Sequence, residues 1–158
     1  MGGQPRPINT RVGYLLNRVA LQIRQLAQEA LKPLGIIPPH MAVLSTILAE
    51  GPQTQRAMGK LLKIDPTTMV WLIDDLDKKG LVRRGKHPED RRAYLVELAP
   101  AGKTAFHKAA QRLARLEDHF LAPLSKKERD DFKSILAKLY WHVPTQGISP
   151  ALFEKAMD

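Results

Sequence analysis

Residues 64–98 read IDPTTMVWLIDDLDKKGLVRRGKHPEDRRAYLVEL, and this stretch decides the fold. Asp65 is a strong N-cap, and Pro66 falls at the first helical position, where a missing N–H does no harm. Met69, Leu72, Ile73 and Leu76 follow at helical steps and form one apolar face. Lys78 and Lys79 lie in the last turn, where cations suit the helix dipole. Gly80 is a natural terminator because glycine adopts positive φ without strain. Residues 81–84 then read as a short strand, and residues 85–90 carry loop chemistry. Residues 92–98 read as a second strand, with Tyr94, Val96 and Leu98 alternating towards one side.

The hairpin so predicted is basic. From Arg83 to Arg92 it carries five positive side chains, Arg83, Arg84, Lys86, Arg91 and Arg92, against Glu89 and Asp90. A capped helix followed by a basic two-stranded hairpin has the outline of a winged helix-turn-helix. In that arrangement the helix enters the major groove of DNA by its N-terminal end, and the wing reaches the neighbouring minor groove.

The whole chain agrees with this outline. It has 158 residues, a net charge of +9 and a pI near 10.0, which favours a polyanionic partner. A solvated basic surface would give the same totals, and the concentration of charge near the hairpin is what argues for nucleic acid. There is no cysteine, which removes disulfides, thiol redox sensing and thiolate zinc sites. No long apolar run occurs, so no membrane span is predicted. The first residues lack an apolar signal core, so a cytoplasmic protein is expected. Met1-Gly2 begins like an acylation site, but Arg6 stands where Ser or Thr is needed.

Residues 1–9, with two Gly and two Pro, are expected to be disordered. Residues 10–34 read as a dimerisation helix: Val12, Leu15, Leu16, Val19, Ile23, Leu26 and Leu31 keep helical spacing until Pro33 and Gly35. So long an amphipathic helix needs a partner surface, and a second copy of the chain is the simplest supplier. Residues 35–99 hold the DNA-binding unit. A helix opens at Pro38-Pro39, and Gly51-Pro52 ends it; Thr54 then caps a short helix over residues 55–62. Gly59 within that helix suggests close approach of the following one. Residues 100–142 read as two further dimerisation helices, broken at Pro123, the second opened by the capping box Ser125-Lys126-Lys127-Glu128. Residues 143–158 read as a linker and a short C-terminal helix.

Three sets of residues carry a family resemblance. Leu34-Gly35-Ile36, Val43-Leu44 and Gly51-Pro52-Gln53-Thr54-Gln55 form the first. Ile64 to Val70, with Leu76-Asp77-Lys78-Lys79-Gly80-Leu81-Val82, form the second. Asp90-Arg91-Arg92 and Leu98-Ala99-Pro100-Ala101-Gly102 form the third. Together they resemble the MarR (multiple antibiotic resistance regulator) family of transcription factors across about residues 10–142. The resemblance implies a homodimer that binds pseudopalindromic double-stranded DNA and releases it when a small, often aromatic, ligand binds. The chain departs from the family pattern in places. Val70 and Trp71 replace Thr and Arg, Asp75 stands where Arg is frequent, and Ala99 replaces a Thr cap, a loss of ~1 kcal/mol. Between Asp65 and Lys79 there are four Asp against two Lys.

Candidate DNA contacts follow from position. Thr54, Gln55, Pro66, Thr67, Thr68, Val70 and Trp71 belong to the helix-turn-helix, and Arg83, Arg84, Lys86, Arg91 and Arg92 to the wing. Asp90 is placed to orient Arg92 into a narrow minor groove. For an effector, Tyr14, Arg18 and His40 are candidate polar liners between the first, second and fifth helices, since an aromatic anion wants a cation and a ring. The five histidines are scattered without ligand spacing, so no metal or cofactor is predicted. No nucleophile–base or paired-carboxylate arrangement is present, so no enzyme is predicted.

The sequence therefore predicts a mainly α, winged helix-turn-helix fold with a two-stranded β wing and long terminal dimerisation helices. The expected function is regulation of transcription by sequence-specific DNA binding, by repression. Two alternatives are a sequence-tolerant architectural DNA-binding protein and a ligand-binding scaffold that has lost DNA binding.

Overall fold

The computed structural model describes residues 7–88 and 93–142. Its helices are α1 (Val12–Leu31), α2 (Pro38–Glu50), α3 (Gln55–Leu62), α4 (Pro66–Lys78), α5 (Pro100–Phe120) and α6 (Lys126–His142). The strands are β1 (Gln53–Thr54), β2 (Val82–Lys86) and β3 (Tyr94–Leu98). This is a winged helix-turn-helix. The chain divides into two compact units, residues 1–117 and 118–158.

The first unit is built on α4. Met69, Leu72, Ile73 and Leu76 are all fully buried, as their spacing predicts. Burying each such side chain is worth about 1.5–3 kcal/mol, enough to fix which face of the helix turns inward. Val43, Leu44 and Ile47 of α2, Met58 of α3, and Val82 and Val96 of the sheet close around them. Leu31 and Ala109 join the same cluster, so the core takes in the end of α1 and the first turns of α5. Asp65 caps α4 by accepting the Thr68 backbone N–H at 2.9 Å, and Gly80 takes φ +66° beyond its end.

The wing is the two-stranded hairpin β2–β3, as the sequence predicts, and an unforeseen third strand joins it to give the order β1-β3-β2. Gln53 pairs with Val96 and Thr54 with Leu95 on one side of β3; on the other side Val82 pairs with Leu98 through to Lys86 with Tyr94. A two-residue strand has too little pattern to be read from sequence, and Thr54 also serves as the α3 cap, accepting the Ala57 N–H at 3.2 Å. Strand β2 also runs two residues further than expected, taking in Gly85 and Lys86.

Glycines mark two close approaches. A side chain at Gly59 would meet the Ile64 carbonyl oxygen at 3.2 Å, so the turn into α4, not α4 itself, is what crowds α3. At Gly102, in the first turn of α5, an added Cβ would overlap the Leu81 carbonyl oxygen and lie 2.8 Å from its carbon. That same oxygen accepts the Ala99 N–H at 3.0 Å, which fastens the start of α5 to the base of β2.

Ahead of α1, Ile8–Thr10 form a 3-10 turn where disorder was expected; residues 1–6 lie outside the described set. On α1 itself Val12, Leu15, Leu16 and Val19 are exposed along one stripe. In the second unit, the Ser125 capping box opens α6 as predicted: its N–H and hydroxyl donate to Glu128 at 2.8 and 2.7 Å. Those two bonds hold the Glu128 carboxyl below its ordinary range. Ile135, Leu136, Leu139, Tyr140 and Trp141 of α6 are exposed apolar or aromatic side chains. The predicted linker and last helix, residues 143–158, lie outside the described residues.

Candidate nucleic-acid interface

The N-terminal half of α4 turns one face outward. Pro66, Thr67, Thr68, Val70 and Trp71 are exposed, while Met69, Leu72 and Ile73 are buried. Thr68 also holds the Asp65 carboxyl below its ordinary range, by side-chain and then backbone hydrogen bonds. The Asp65 carboxylate therefore occupies the helix N-terminus. Anion contact at this end falls to the Thr67 hydroxyl more than to the dipole, since the Thr68 hydroxyl is engaged with Asp65.

The acidic half of α4 has partners within the chain. Arg84 of β2 pairs with Asp74 and reaches Asp77 at 3.6 Å. Lys79 pairs with Asp75 one turn away. These carboxylates thus hold the base of the wing and the end of the helix, and their charge is compensated locally. Such exposed pairs are worth little stability, about 0–1 kcal/mol, and act chiefly by fixing orientation.

The wing strands carry a further pair. Arg83 faces Glu97 directly across β2–β3 and binds its carboxylate at 2.8 Å through Nη2 and 2.9 Å through Nε. Arg83 and Arg84 therefore both have carboxylate partners of their own chain. Lys86 stands exposed at the end of β2. Asp90, Arg91 and Arg92 lie outside the described residues.

Gln55 and Pro66 line one cavity of about 550 Å³ between α3 and the start of α4, together with Arg56, Gly59, Lys60, Ile64 and Met69. Arg56 and Lys60 are exposed, one turn apart on α3, and were missed as DNA-contact candidates. Their signal was available: two cations at i and i+4 opposite the buried Met58.

The three candidate effector-binding residues differ in exposure. Tyr14 and Arg18 are exposed on α1. His40 is 1% exposed and packs against α4. Its Nδ1 accepts the Ile37 N–H at 3.3 Å, and its ring stacks on Trp71 with centroids 5.8 Å apart and planes 19° from parallel. Its Nε2 lies 3.3 Å from the Asp75 carboxylate, within ion-pair range, but is off the line of a hydrogen bond. Burial holds the His40 pKa below its ordinary 6.5; Asp75 pulls it up and Lys79 pushes it down.

That depression fixes a sign. Between the folded and unfolded pKa values the unfolded chain holds the extra proton, so His40 costs stability as pH falls below about 6.5. Urea titrations at about pH 7.5 and about pH 5.5 are expected to show lower stability at the acid value. The His40→Phe variant should lose part of that difference. An unchanged pH dependence in the variant would contradict the assignment.

Residues 36–94 match the profile of the MarR family. A protein from Thauera aromatica described as a transcriptional regulator for the hcr operon is 29% identical over 130 residues, 82% of this chain and 78% of its own. A variant of MarR from E. coli, solved in complex with operator DNA, superposes with a TM-score of 0.72 at 27% identity, over 81% of this chain and 92% of that one. The PcaV regulator from Streptomyces coelicolor, solved with its natural ligand, gives a TM-score of 0.70 at 25% identity, over 87% and 97% of the two chains.

Proposed function

Because the chain belongs to the MarR family of transcriptional regulators, we propose that it acts as a homodimeric repressor reading a pseudopalindromic operator through the first half of α4. It is a regulator and not an enzyme. The observation that carries the operator reading is the face of α4: four exposed uncharged side chains, Thr67, Thr68, Val70 and Trp71, set on a fully buried apolar face. The Thr67 hydroxyl can donate to or accept from a base edge, the Thr68 oxygen, its proton engaged by Asp65, can accept, and the methyl groups of Thr and Val suit the thymine C5-methyl. A relative solved on operator DNA supports the same use of the fold.

Charge and sequence reading are then divided between elements. The four α4 residues release few counterions, because none is charged. Lys86, Arg91 and Arg92 of the wing, with Arg56 and Lys60 of α3, set the salt dependence through phosphates. Asp90 orients Arg92. Gln55 and Pro66, which line the groove between α3 and α4, and Thr54, which caps α3, contact the DNA backbone.

Dimerisation rests on exposed apolar stripes, one on α1 and one on α6. A small aromatic acid is the effector class; a ring and a cation one turn apart, Tyr14 and Arg18, suit it, and a relative solved with its natural ligand supports ligand control. His40, packed on α4, is set aside from that role.

The test is a titration of Thr68→Ala and Trp71→Ala on the operator and on scrambled DNA at several salt concentrations. Each substitution is expected to cost roughly 1–3 kcal/mol on the operator with an unchanged salt slope. Equal losses on both DNAs would replace sequence reading by the architectural alternative.

A further inference from the structure

Trp71 is the unusual member of the α4 face. It is large, 54% exposed and free of charge, and on an open helix surface its indole would sample several rotamers. One of its faces is not open: the buried ring of His40, from α2, lies against it. His40 is itself held by what surrounds it. Its Nδ1 is tied to the Ile37 N–H, and Asp75 sits beside Nε2 one turn along α4 from Trp71. Lys79, a further turn on, pairs with Asp75. Trp71, Asp75 and Lys79 thus form one stripe of α4, and all three bear on a single imidazole beneath it.

A buried polar ring with an unsatisfied nitrogen is a costly core residue. An aliphatic side chain would fill the place without that cost, but would not stack. The stack orders the indole before DNA arrives, which lowers the entropy lost on binding.

We infer that His40 is a positioning residue for sequence reading: its ring, buried in α2, holds the Trp71 indole in one orientation on the outer face of α4. The inference rests on the proposed base-reading role of Trp71. His40 touches no DNA in this account and acts through Trp71.

The experiment has two arms. The chain has two tryptophans, Trp71 and Trp141, so Trp141→Phe leaves Trp71 as the sole indole. In that background, without DNA, His40→Leu should raise the acrylamide quenching and lower the anisotropy of Trp71 fluorescence; His40→Phe should restore both. The parent's emission should also fall on acidification as His40 takes its proton, because an imidazolium quenches indole, and neither variant should show that step. Leu and Phe variants that behave alike, or a Trp71 signal that ignores both, would overturn the proposal.

The second arm measures the ratio of operator to scrambled-DNA affinity at fixed salt. His40→Leu is expected to lower it about tenfold, with non-specific affinity unchanged, and His40→Phe to recover most of it. The double variant His40→Leu/Trp71→Ala should be no worse than Trp71→Ala alone. If Trp71→Ala lowers the ratio but the two losses add, His40 does not act through Trp71 and only this proposal falls. If Trp71→Ala keeps the full ratio, the base-reading role of Trp71 falls, and this proposal with it.

Discussion

The Gly102→Ala variant is expected to melt about 10 °C below the parent, a loss of roughly 3–5 kcal/mol. Overpacking usually costs about 1–3 kcal/mol because side chains can shift aside. Here the obstacle is backbone. The new Cβ would overlap the Leu81 carbonyl oxygen, sit 2.8 Å from its carbon and crowd Leu98 at 3.1 Å. Moving the carbonyl also breaks its hydrogen bond from Ala99, which joins the start of α5 to the wing base. Gly13→Ala is the control. It lies in α1 with nothing within 4 Å of the added carbon, so that helix should lose nothing and gain up to about 1 kcal/mol. Thermal unfolding followed by circular dichroism checks both. A Gly102→Ala protein with the parent's melting temperature would show that the α5–wing junction is looser than described.

The second large effect concerns assembly. A double charge variant, Leu16→Glu with Leu139→Glu, is expected to sediment as a folded monomer. It should lose specific DNA affinity by about 100-fold or more, because two half-sites are then no longer bound together. Leu16 is 40% and Leu139 45% exposed within the chain, so the charges should leave the helical content unchanged. The loss would then report the missing partner and not an unfolded subunit. A variant that stays dimeric would place the interface elsewhere. One that becomes monomeric yet holds its operator with full affinity would remove dimerisation from the DNA-binding account.

Much of this was legible in the sequence, and the exceptions share a cause. The cap at Asp65, the buried face of α4, the terminator Gly80 and the capping box at Ser125 each depend on residues a few positions apart, and all stand as read. What escaped depends on distant pairs. Asp74 looks like a liability in a DNA-reading helix until Arg84, ten residues on, is seen to bind it. The sequence does not show that His40 lies under Trp71, because that contact forms only when α2 packs on α4. Strand β1 exists because β3 offers it an edge, which two residues cannot announce. The stripe on α1 was read as apolar and helical, yet within the chain only Leu31 at its end is buried. Periodicity shows that a face needs cover; it does not show what covers it.

Sequence reading is assigned to the uncharged half of α4. Its most direct test is a fluorescence-anisotropy titration of the full-length chain at one salt concentration, on duplex DNA from its own upstream region and on a scrambled duplex of equal length. The predicted result is a preference of about 1,000-fold or more for the natural duplex, in the range of specific regulators. Equal affinity for the two duplexes would contradict it.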